Sequence, residues 1–366
     1  MKRRGPFGEL LRRWRRAAGL SQAALAARAG LSAVEIGMLE RGQRRRPRGD
    51  TVNRLVRTLR LDAEAAEALR SAADVDRQES SVSLPVDVLP PHAPLPDGSH
   101  MRLARNPLFV GRTDELLRMA AALCDGDAIG LGKVVAATGL GGLGKTQLAV
   151  EFVHRYGRFF AGGVFWLSFA GPDEIPLQIA ACAGPGCLGL ATDAEGLSLQ
   201  DRLELVRSAW HSPVPRLLVF DNCEEEALLQ AWRPSSGGSR VLVTSRRSHW
   251  SPALGVTSMA LGPLRRPDSI ELLRRHRPDQ DPGRPELDAV AHELGDLPLA
   301  LHLAGSYLHA YREEVGLDGY LAELRQPAAL GHASLLGAGL HDSPSPTDHV
   351  QAGTNGLPGA RRAGAS

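Results

Sequence analysis

The sequence lacks long hydrophobic runs and has few cysteines. No stretch approaches the roughly 18 consecutive apolar residues of a transmembrane helix, and no apolar segment of the signal-peptide type follows the basic N-terminus. The four cysteines are scattered without the spacing of metal ligands (Cys124, Cys182, Cys187 and Cys223). These absences argue against a secreted or membrane-spanning protein. They predict a cytoplasmic protein with reduced thiols and no membrane partner.

Lysine is scarce: 40 of the 43 basic residues are arginines. The net charge of +2 also conceals an uneven distribution. Residues 1–70 contain 17 basic and 7 acidic residues, a net charge of +10, so the remaining residues carry −8. A basic segment joined to an acidic body predicts that only the N-terminal part contacts a polyanion.

The first 73 residues carry the signals of short helices. Ser21 is a suitable N-cap for a helix that ends at Gly30, and Ser32 with Glu35 forms a capping box that starts the next helix. In the first segment, apolar residues lie on one side and arginines on the other, which is typical of an amphipathic helix. The helices are expected over residues 7–18, 22–29, 33–40, 50–59 and 62–73.

The composition changes after residue 73 and again at residue 106. The intervening segment contains five prolines and no helical stripe, which predicts a semi-extended linker. Beyond it, short apolar runs alternate with helices, the pattern of a parallel sheet buried on both faces. Strands are expected at residues 133–138, 163–169, 216–221 and 239–244, with a helix at 145–156 and further helices over 268–324.

We therefore predict a multidomain chain with an all-α head, an α/β domain built on a parallel sheet, and a small helical subdomain. The C-terminal segment is rich in Gly, Ala, Pro and Ser without periodicity, which is typical of disorder. The predicted boundaries are the head at 1–73, the linker at 74–105, the α/β domain at 106–262, the helical subdomain at 263–325 and the tail at 326–366.

Residues 139–146 (GLGGLGKT) match the pattern G-x-x-x-x-G-K-[ST] at every fixed position. A predicted strand precedes this loop and a predicted helix follows it, the context that a phosphate-binding P-loop requires; the alternative is a glycine-rich turn that only links the two. Lys145 would bridge the β- and γ-phosphates, and the Thr146 hydroxyl would ligate Mg²⁺. The loop residues expected to bind nucleotide are Gly139, Gly141, Gly142, Leu143, Gly144, Lys145, Thr146 and Gln147.

Two later strand ends carry polar residues that suit the same chemistry. Residues 217–221 (LLVFD) end in Asp221, as in a Walker B motif, where the acid holds Mg²⁺. Residues 241–246 (VLVTSR) place Arg246 just past another strand, from where it can reach a γ-phosphate. Each pattern alone is weak, since many buried strands end in Asp and arginine is abundant in this chain.

Five motifs occur in one order: residues 109–112 (FVGR), the P-loop, LLVFD, VLVTSR and residues 295–300 (GDLPLA). In this set the chain resembles the NB-ARC family of STAND signal-transduction ATPases, over about residues 106–315. The resemblance implies a P-loop NTPase with a helical subdomain, ATP or ADP with Mg²⁺ as ligands, and ATP-dependent self-association. It also implies that Val110 and Arg112 lie near adenine and ribose, that Pro298 packs near the nucleotide, and that Arg246 acts as a sensor.

Two features depart from that family. Its members often have a second acid after the one at the strand end, but here Asn222, which cannot act as a general base, follows Asp221. Glu224 and Glu225 are nearby but are more typical of solvated charges at a helix start. We therefore expect slow hydrolysis or a long-lived nucleotide state, with Lys145, Asp221 and Arg246 as the catalytic residues. Nothing after residue 326 resembles the family's winged-helix domain or repeat sensor, so we expect a truncated product.

Residues 21–42 resemble the helix-turn-helix of lambdoid phage repressors (the XRE class). The apolar residues at this spacing pack the two helices together (Leu25, Ala26, Leu31, Ile36 and Leu39). The resemblance implies double-stranded DNA as the partner, with the second helix in the major groove. The expected DNA-binding residues are Gln22, Ser32, Ala33, Val34, Met38, Arg45, Arg46 and Arg48.

The residues at the base-reading positions are apolar. Ala33, Val34 and Met38 cannot make bidentate contacts to guanine or adenine, although Ala and Val can touch thymine methyl groups. We therefore expect salt-dependent affinity for the DNA backbone and modest sequence discrimination. The alternative for the head is a helical bundle that binds protein.

Three hypotheses follow for the whole chain. The leading one is a bacterial transcriptional regulator that binds DNA through its head and is switched by ADP/ATP exchange. The second is a STAND-type defence or effector protein whose head recruits a protein partner. The third is a metabolic P-loop ATPase with a regulatory head, for which the sequence offers no visible substrate-binding residues.

Overall fold

The computed structural model describes residues 6–40, 49–79, 82–124, 133–190, 196–281, 283–326 and 332–336. The helices of the head and of the α/β domain are α1 (Pro6–Ala17), α2 (Gln22–Ala29), α3 (Ala33–Glu40), α4 (Gly49–Leu59), α5 (Ala63–Glu79), α6 (Thr113–Cys124), α7 (Lys145–Tyr156), α8 (Ile175–Ala181), α9 (Leu199–Trp210) and α10 (Glu226–Trp232). The strands are β1 (Lys133–Thr138), β2 (Val164–Ser168), β3 (Leu217–Asp221), β4 (Arg240–Ser245) and β5 (Val256–Ala260), and the helical subdomain contains α11 (Arg266–His276), α12 (Pro285–Glu293), α13 (Pro298–Ala310) and α14 (Leu317–Leu324).

The head is a bundle of α1 to α5 around one hydrophobic core. Ser21 accepts a hydrogen bond from the Ala24 N–H (3.0 Å) at the start of α2, and Gly30 ends that helix with a φ of 65°. The Ser32 hydroxyl accepts from the Glu35 N–H (3.1 Å) and so starts α3. The fully buried side chains of the core include Phe7, Leu11, Leu25, Ile36, Leu39, Leu55 and Leu69. The predicted helix-turn-helix is therefore confirmed.

The segment predicted as a linker differs from that expectation in where it begins and in how it packs. Helix α5 continues to Glu79, so the chain does not become extended at residue 74. Residues 82–105, called the strap below, are extended but packed against the α/β domain. Val82 and Leu84 are buried in its core, and the Leu84 N–H donates to Cys124 Sγ (2.8 Å). The strap is thus part of the domain rather than a free spacer.

The α/β domain contains a five-stranded parallel sheet among the described residues, in the order β2-β3-β4-β1-β5. Its faces are covered by two separate hydrophobic clusters, one beneath α6 and α7 and one beneath α8 and α9. The four predicted strands are confirmed, with ends displaced by at most one residue. Strand β5 was not predicted, because it lies at the sheet edge and three of its five residues are exposed.

The helical subdomain packs α11 to α14 around a third core. Leu108 and Val110, which precede the α/β domain's first helix, belong to this core rather than to the sheet. Arg275 of α11 fastens that segment by donating to the carbonyls of Pro107 (2.8 Å) and Phe109 (2.9 Å). The start of the α/β domain is therefore bound to the helical subdomain.

Part of the predicted disordered tail is ordered. In residues 332–336, Leu335 packs against the helical subdomain, and Ser334 shares a hydrogen bond with the Tyr320 hydroxyl (2.8 Å). His332 also contacts Glu323 through its Nε2 (2.6 Å). The prediction of disorder is wrong for these residues, and residues 337–366 lie outside the described part of the chain.

Candidate nucleotide-binding site

The P-loop connects β1 to α7, as the sequence predicts. Gly139 has a φ of 142°, and a Cβ at this position would lie 2.9 Å from the Leu261 carbonyl oxygen, closer than real contacts. Gly144 is the N-cap of α7 with a φ of 83°, in the left-handed region that favours glycine. The loop conformation therefore depends on glycine at both positions and places Lys145 in the first turn of the helix.

Lys145 folds back over the loop. Its Nζ donates to the carbonyl oxygens of Gly139 and Leu140, each at 2.8 Å. Burial lowers the pKa of Lys145, and the nearby carboxylate of Glu224 partly opposes that shift. The ammonium group thus lies at the centre of the loop, where a phosphate oxygen would compete with the two carbonyls as its partner.

Thr146, Asp221 and Thr244 form a hydrogen-bonded cluster beside the P-loop. Asp221 Oδ1 accepts from the Thr146 hydroxyl (2.9 Å) and from the Thr244 hydroxyl (2.5 Å), and the Asn222 N–H donates to Thr244 (2.9 Å). Strand β4 lies next to β3 in the sheet, so Thr244 near its end meets Asp221, which accepts from both threonines. A threonine hydroxyl beside a carboxylate is a set of hard oxygen ligands that fits Mg²⁺. Sequence reasoning missed Thr244.

Glu224 is fixed at the site instead of being solvated. Its carboxylate accepts from the Arg246 N–H (3.0 Å), the Ser245 hydroxyl (3.0 Å) and Arg246 Nε (3.3 Å). Burial would raise the pKa of Glu224, but these hydrogen bonds together lower it below its usual value. The interpretation of Glu224 as a solvated helix-start charge is therefore wrong. Arg246 itself is mostly exposed and turned towards this carboxylate.

The helical subdomain touches the P-loop through the GDLPLA segment. The Leu299 N–H donates to the Gly142 carbonyl (3.2 Å). A Cβ at Gly142 would lie 3.3 Å from Leu299, and one at Gly144 would lie 3.9 Å from the Pro298 ring. Pro298 is the first residue of α13 and needs no N–H partner there. The structure thus brings Pro298 to the loop, as the resemblance implied; its contact with a nucleotide remains a prediction.

Arg112 joins the P-loop to the segment that leads into the helical subdomain. Its side chain is only 7% exposed and donates to the carbonyls of Gly262 (2.6 Å) and Leu143 (3.3 Å) and to Glu115 (3.0 Å). In the structure Val110 packs in the subdomain core, and Arg112 bridges two carbonyls. The contact of either residue with adenine or ribose remains a prediction.

Gln147, the last predicted residue of the loop, faces the start of the domain. Its Oε1 accepts from Asn106 Nδ2 (3.0 Å). The side chain thus ties the first turn of α7 to the segment before α6. A direct contact with nucleotide stays a prediction for this residue.

Replacing Arg112 by methionine is expected to loosen the link between the P-loop and the subdomain. The change leaves two carbonyls without their buried donor, so we expect a loss of about 2 kcal/mol in unfolding free energy. For a domain of this size that corresponds to a fall in Tm of about 4–8 °C. Thermal denaturation of the full chain measures it. The matched control is Arg118→Met on α6, the helix that begins directly after Arg112, where the side chain is exposed; equal effects of the two changes would contradict the bridging role.

The predicted DNA-binding residues of the head differ in exposure and in hydrogen-bond partners. Ala33, Val34 and Met38 are exposed on α3, with Val34 64% and Met38 40% exposed. The Ser32 hydroxyl caps α3, and Gln22 Nε2 donates to Glu40 (2.8 Å), so both side chains have internal partners. Arg45, Arg46 and Arg48 lie outside the described residues.

Fold and site together define the class: a helix-turn-helix head followed by an α/β P-loop NTPase domain with a helical subdomain. The helix-turn-helix domain family matches residues 6–69. This match confirms the predicted helix-turn-helix head. Among the described residues, no helix has both the length and the apolar character needed to cross a membrane.

The chain is similar in part to three longer proteins. It is 28% identical over 271 residues to "Regulatory protein AfsR" of Streptomyces griseus (73% of this chain, 26% of the relative). It is 31% identical over 185 residues to the protein of that name in Streptomyces coelicolor (49% and 18%). It is also 25% identical over 259 residues to a "Nucleotide-binding leucine-rich repeat (NLR)-like protein" of Hyaloscypha variabilis (63% and 25%). The chain thus spans about a quarter of the length of these relatives or less.

Proposed function

We propose that this protein is a DNA-binding transcriptional regulator whose state is set by ADP or ATP bound with Mg²⁺ at the P-loop. The observation that carries the proposal is that the P-loop is bonded both to the helical subdomain and to the segment that leads into it. The Leu299 N–H of the subdomain donates to the Gly142 carbonyl, and Arg112 links the Leu143 carbonyl to the Gly262 carbonyl at the start of that segment. The carbonyls of Gly142 and Leu143 belong to the loop that would surround the phosphates, so a change in the loop changes the subdomain's attachment.

Lys145 supplies the physical link between ligand and loop. Its two present partners are loop carbonyls, and a bound phosphate would replace them as acceptors. Thr146 and Asp221 would hold Mg²⁺, which supplies the charge that neutralises the phosphates. ADP would favour a closed arrangement of the two parts, and ATP with Mg²⁺ an open, self-associating one. The shift is limited by the difference in each nucleotide's affinity for the two arrangements.

Slow hydrolysis suits such a switch. Asn222, which cannot act as a general base, follows the predicted metal-site acid Asp221. The backbone N–H of Asn222 donates to the Thr244 hydroxyl. Glu224 is the alternative proton acceptor, but its lowered pKa makes it a weak base. We therefore propose that the site retains its nucleotide for long periods. The identity of the nucleotide that copurifies with the protein tests this: ADP supports a resting switch, whereas an empty site contradicts nucleotide retention.

The DNA-binding part of the proposal rests on the head. Its helix-turn-helix is complete in the described residues, residues 1–70 carry a net charge of +10, and the similar streptomycete proteins are named regulatory proteins. The exposed face of α3 offers methyl groups but no side chain for bidentate base contacts. The head would therefore bind mainly through phosphates.

Binding to DNA is expected to depend strongly on salt and weakly on sequence. Raising the salt from about 50 to about 200 mM should weaken binding at least about tenfold, because phosphate contacts release counterions. A duplex selected for tight binding should exceed a random one by less than about 1000-fold. Fluorescence anisotropy with both duplexes at both salt concentrations measures the two effects. A preference of many thousandfold would contradict the proposed recognition.

A head that binds protein is the second candidate, favoured by one observation. Val34 and Met38 are large apolar side chains exposed on neighbouring turns of α3, and such side chains are common at protein interfaces. The same anisotropy experiment separates the candidates. Absence of binding to any duplex at low salt favours the protein partner, whereas salt-sensitive binding favours DNA.

A further inference from the structure

The strap lies against helix α7 in two separate stretches. Residues 90–95 contact the C-terminal half of the helix, and the last part of the strap returns along it towards the P-loop. Between these stretches, His100 forms a parallel bridge to the edge of β2. Helix α7 carries Lys145 and Thr146 in its first turn. The strap is therefore attached to the helix that begins at the candidate nucleotide site.

Glu151 of α7 is the centre of the first stretch. Its side chain is 2% exposed, and its Oε1 is hydrogen bonded to His92 Nε2 of the strap (2.8 Å) and accepts from Arg155 Nε (2.7 Å). Arg155 Nη1 also donates to the Pro90 carbonyl (3.0 Å). Burying a carboxylate is costly unless it has hydrogen-bond partners. The strap lowers that cost for Glu151, so the two are energetically linked.

The second stretch ends at a junction of three parts of the molecule. His154 Nε2 of α7 is hydrogen bonded to the Leu103 carbonyl (3.0 Å). Directly after the strap, Asn106 Nδ2 donates to Gln147 Oε1 (3.0 Å) in the first turn of α7. Asn106 Oδ1 accepts from the Leu108 N–H (2.9 Å), and Leu108 is buried in the core of the helical subdomain. Asn106 thus connects the strap, α7 and the segment that the subdomain holds.

The chain is anchored in a different core on each side of the strap's middle. At the start of the strap, Val82 and Leu84 are buried beneath α6 and α7. Beyond its end, Leu108 and Val110 belong to the core of the helical subdomain. Only residues 80 and 81 separate Val82 from the last residue of α5, and three extended residue steps span at most about 11 Å. A displacement of the strap's start would therefore reach the last helix of the head.

The middle of the strap is less deeply buried than these anchors. The His92 side chain is 28% exposed, and Leu95 is only partly buried. Leu95 packs directly over Gly157 at the end of α7, where a Cβ would lie 2.4 Å from its Cδ2 atom. Segments with few buried apolar contacts open at a low cost in free energy. A ligand can therefore bias the attachment of this segment more easily than that of a core strand.

We propose that the strap is the regulatory connection between the nucleotide site and the head, a role that rests on the function proposed above. In that function the helical subdomain moves relative to the α/β domain when the nucleotide changes. Leu108 and Val110 move with the subdomain, so the junction at Asn106 is displaced along α7. The displacement weakens the bonds of the strap to Glu151 and acts on Val82, next to the head. ADP keeps the strap attached to α7, and ATP with Mg²⁺ loosens it.

Hydrogen exchange measures the attachment of the strap to α7 without DNA. Four prolines leave residues 90–96 with only three backbone amides, those of His92, Ala93 and Leu95. The Ala93 N–H donates to the His154 carbonyl (3.2 Å). In the full chain, this segment should exchange at least about threefold faster with a non-hydrolysable ATP analogue and Mg²⁺ than with ADP and Mg²⁺. Equal exchange, with both nucleotides shown to be bound, would overturn the regulatory role of the strap.

The second test uses a release variant, His92→Ala with Leu95→Ala, and a control, Val88→Ala with Arg102→Ala. All four residues lie in the strap, but Val88 and Arg102 are exposed. The release variant should bind ADP within about threefold of the unchanged protein, and the effect of nucleotide on its DNA affinity should fall from at least about tenfold to less than about twofold. The control should retain the full effect. A release variant that folds normally and also retains it would overturn the proposal.

The two tests together separate a failure of the strap from a failure of the proposed function. Exchange of the strap that responds to nucleotide, beside a DNA affinity that does not, supports the nucleotide-dependent attachment and contradicts the proposed control of DNA binding. A DNA affinity that responds to nucleotide, beside strap exchange that does not, overturns the strap as the connection and leaves the proposed function standing.

Discussion

Lys145→Ala is expected to weaken the binding of ADP and ATP at least about 100-fold, equivalent to about 2.7 kcal/mol. The ammonium group lies within the loop, bonded to the carbonyls of Gly139 and Leu140, and is the charged donor available to the phosphates there. Its loss removes charge-assisted hydrogen bonds that contribute about 1.5–3 kcal/mol each. Lys145→Arg should also bind poorly, because a planar guanidinium does not fit the place of a compact ammonium. Titration with a fluorescent ADP analogue measures both variants.

Lys133→Ala is the matched control for this experiment. Lys133 begins β1, at the end of the strand opposite to the P-loop. Its replacement by alanine removes the same charge from the same domain. Its replacement should leave nucleotide affinity within about twofold of the unchanged protein. A Lys145→Ala variant that folds normally and binds ADP within about threefold of the unchanged protein would contradict the assignment of the site.

Glu40→Leu is expected to destabilise the head by about 3–5 kcal/mol, since it leaves Arg15 as an unpaired buried charge. The Glu40 side chain is 3% exposed and accepts from Arg15 Nε, from Arg15 Nη2 (2.9 Å) and from Gln22 Nε2 (2.8 Å). This cluster ties α1 to α2 and α3, so its loss weakens the attachment of the three helices to one another. Urea denaturation followed by hydrogen exchange of peptides from α1 and α3 measures the loss.

The same pair predicts the direction of a pH effect. Burial would raise the pKa of Glu40, but the hydrogen bonds from Arg15 and Gln22 lower it overall. A carboxyl group with a lowered folded-state pKa stabilises the fold above its unfolded pKa, and the stabilisation is lost as the pH falls through the folded one. The unchanged head should therefore lose more stability in acid than the Glu40→Leu variant does.

The double change Arg15→Met with Glu40→Leu should recover much of the unfolding free energy that Glu40→Leu alone loses. Equal destabilisation by the double and the single change would contradict the ion-pair explanation.

Local sequence signals were sufficient for the elements that carry the site. Strand β1 and helix α7 begin and end at the predicted residues, because an apolar strand, a glycine-rich loop and an amphipathic helix follow one another there. Strand β5 was missed since its five residues (VTSMA) contain no continuous apolar run and its pairing with β1 is set by the tertiary fold. The strap's extended form was predictable from its prolines, but its attachment depends on partners distant in sequence, such as Cys124 and Val164.

The site was predictable where a motif fixes the residue and not where the fold supplies it. Lys145, Thr146 and Asp221 were predicted from their motifs, and the structure joins Thr146 to Asp221 by a hydrogen bond. Their contact with a nucleotide stays a prediction. Thr244 was missed because its contact with Asp221 follows from the order of strands in the sheet. Glu224 was misinterpreted because its binding by Arg246 and Ser245 has no signature in sequence.

The affinity of the full chain for DNA in the presence of different nucleotides tests the central claim most directly. Anisotropy of a labelled duplex would be recorded with ADP and Mg²⁺, with a non-hydrolysable ATP analogue and Mg²⁺, and with no nucleotide. We predict affinities that differ at least about tenfold between the two nucleotides, a coupling of about 1.4 kcal/mol, and that become equal in Lys145→Ala. Equal affinities in the unchanged protein, with both nucleotides shown to be bound, would contradict the account of a nucleotide-switched regulator.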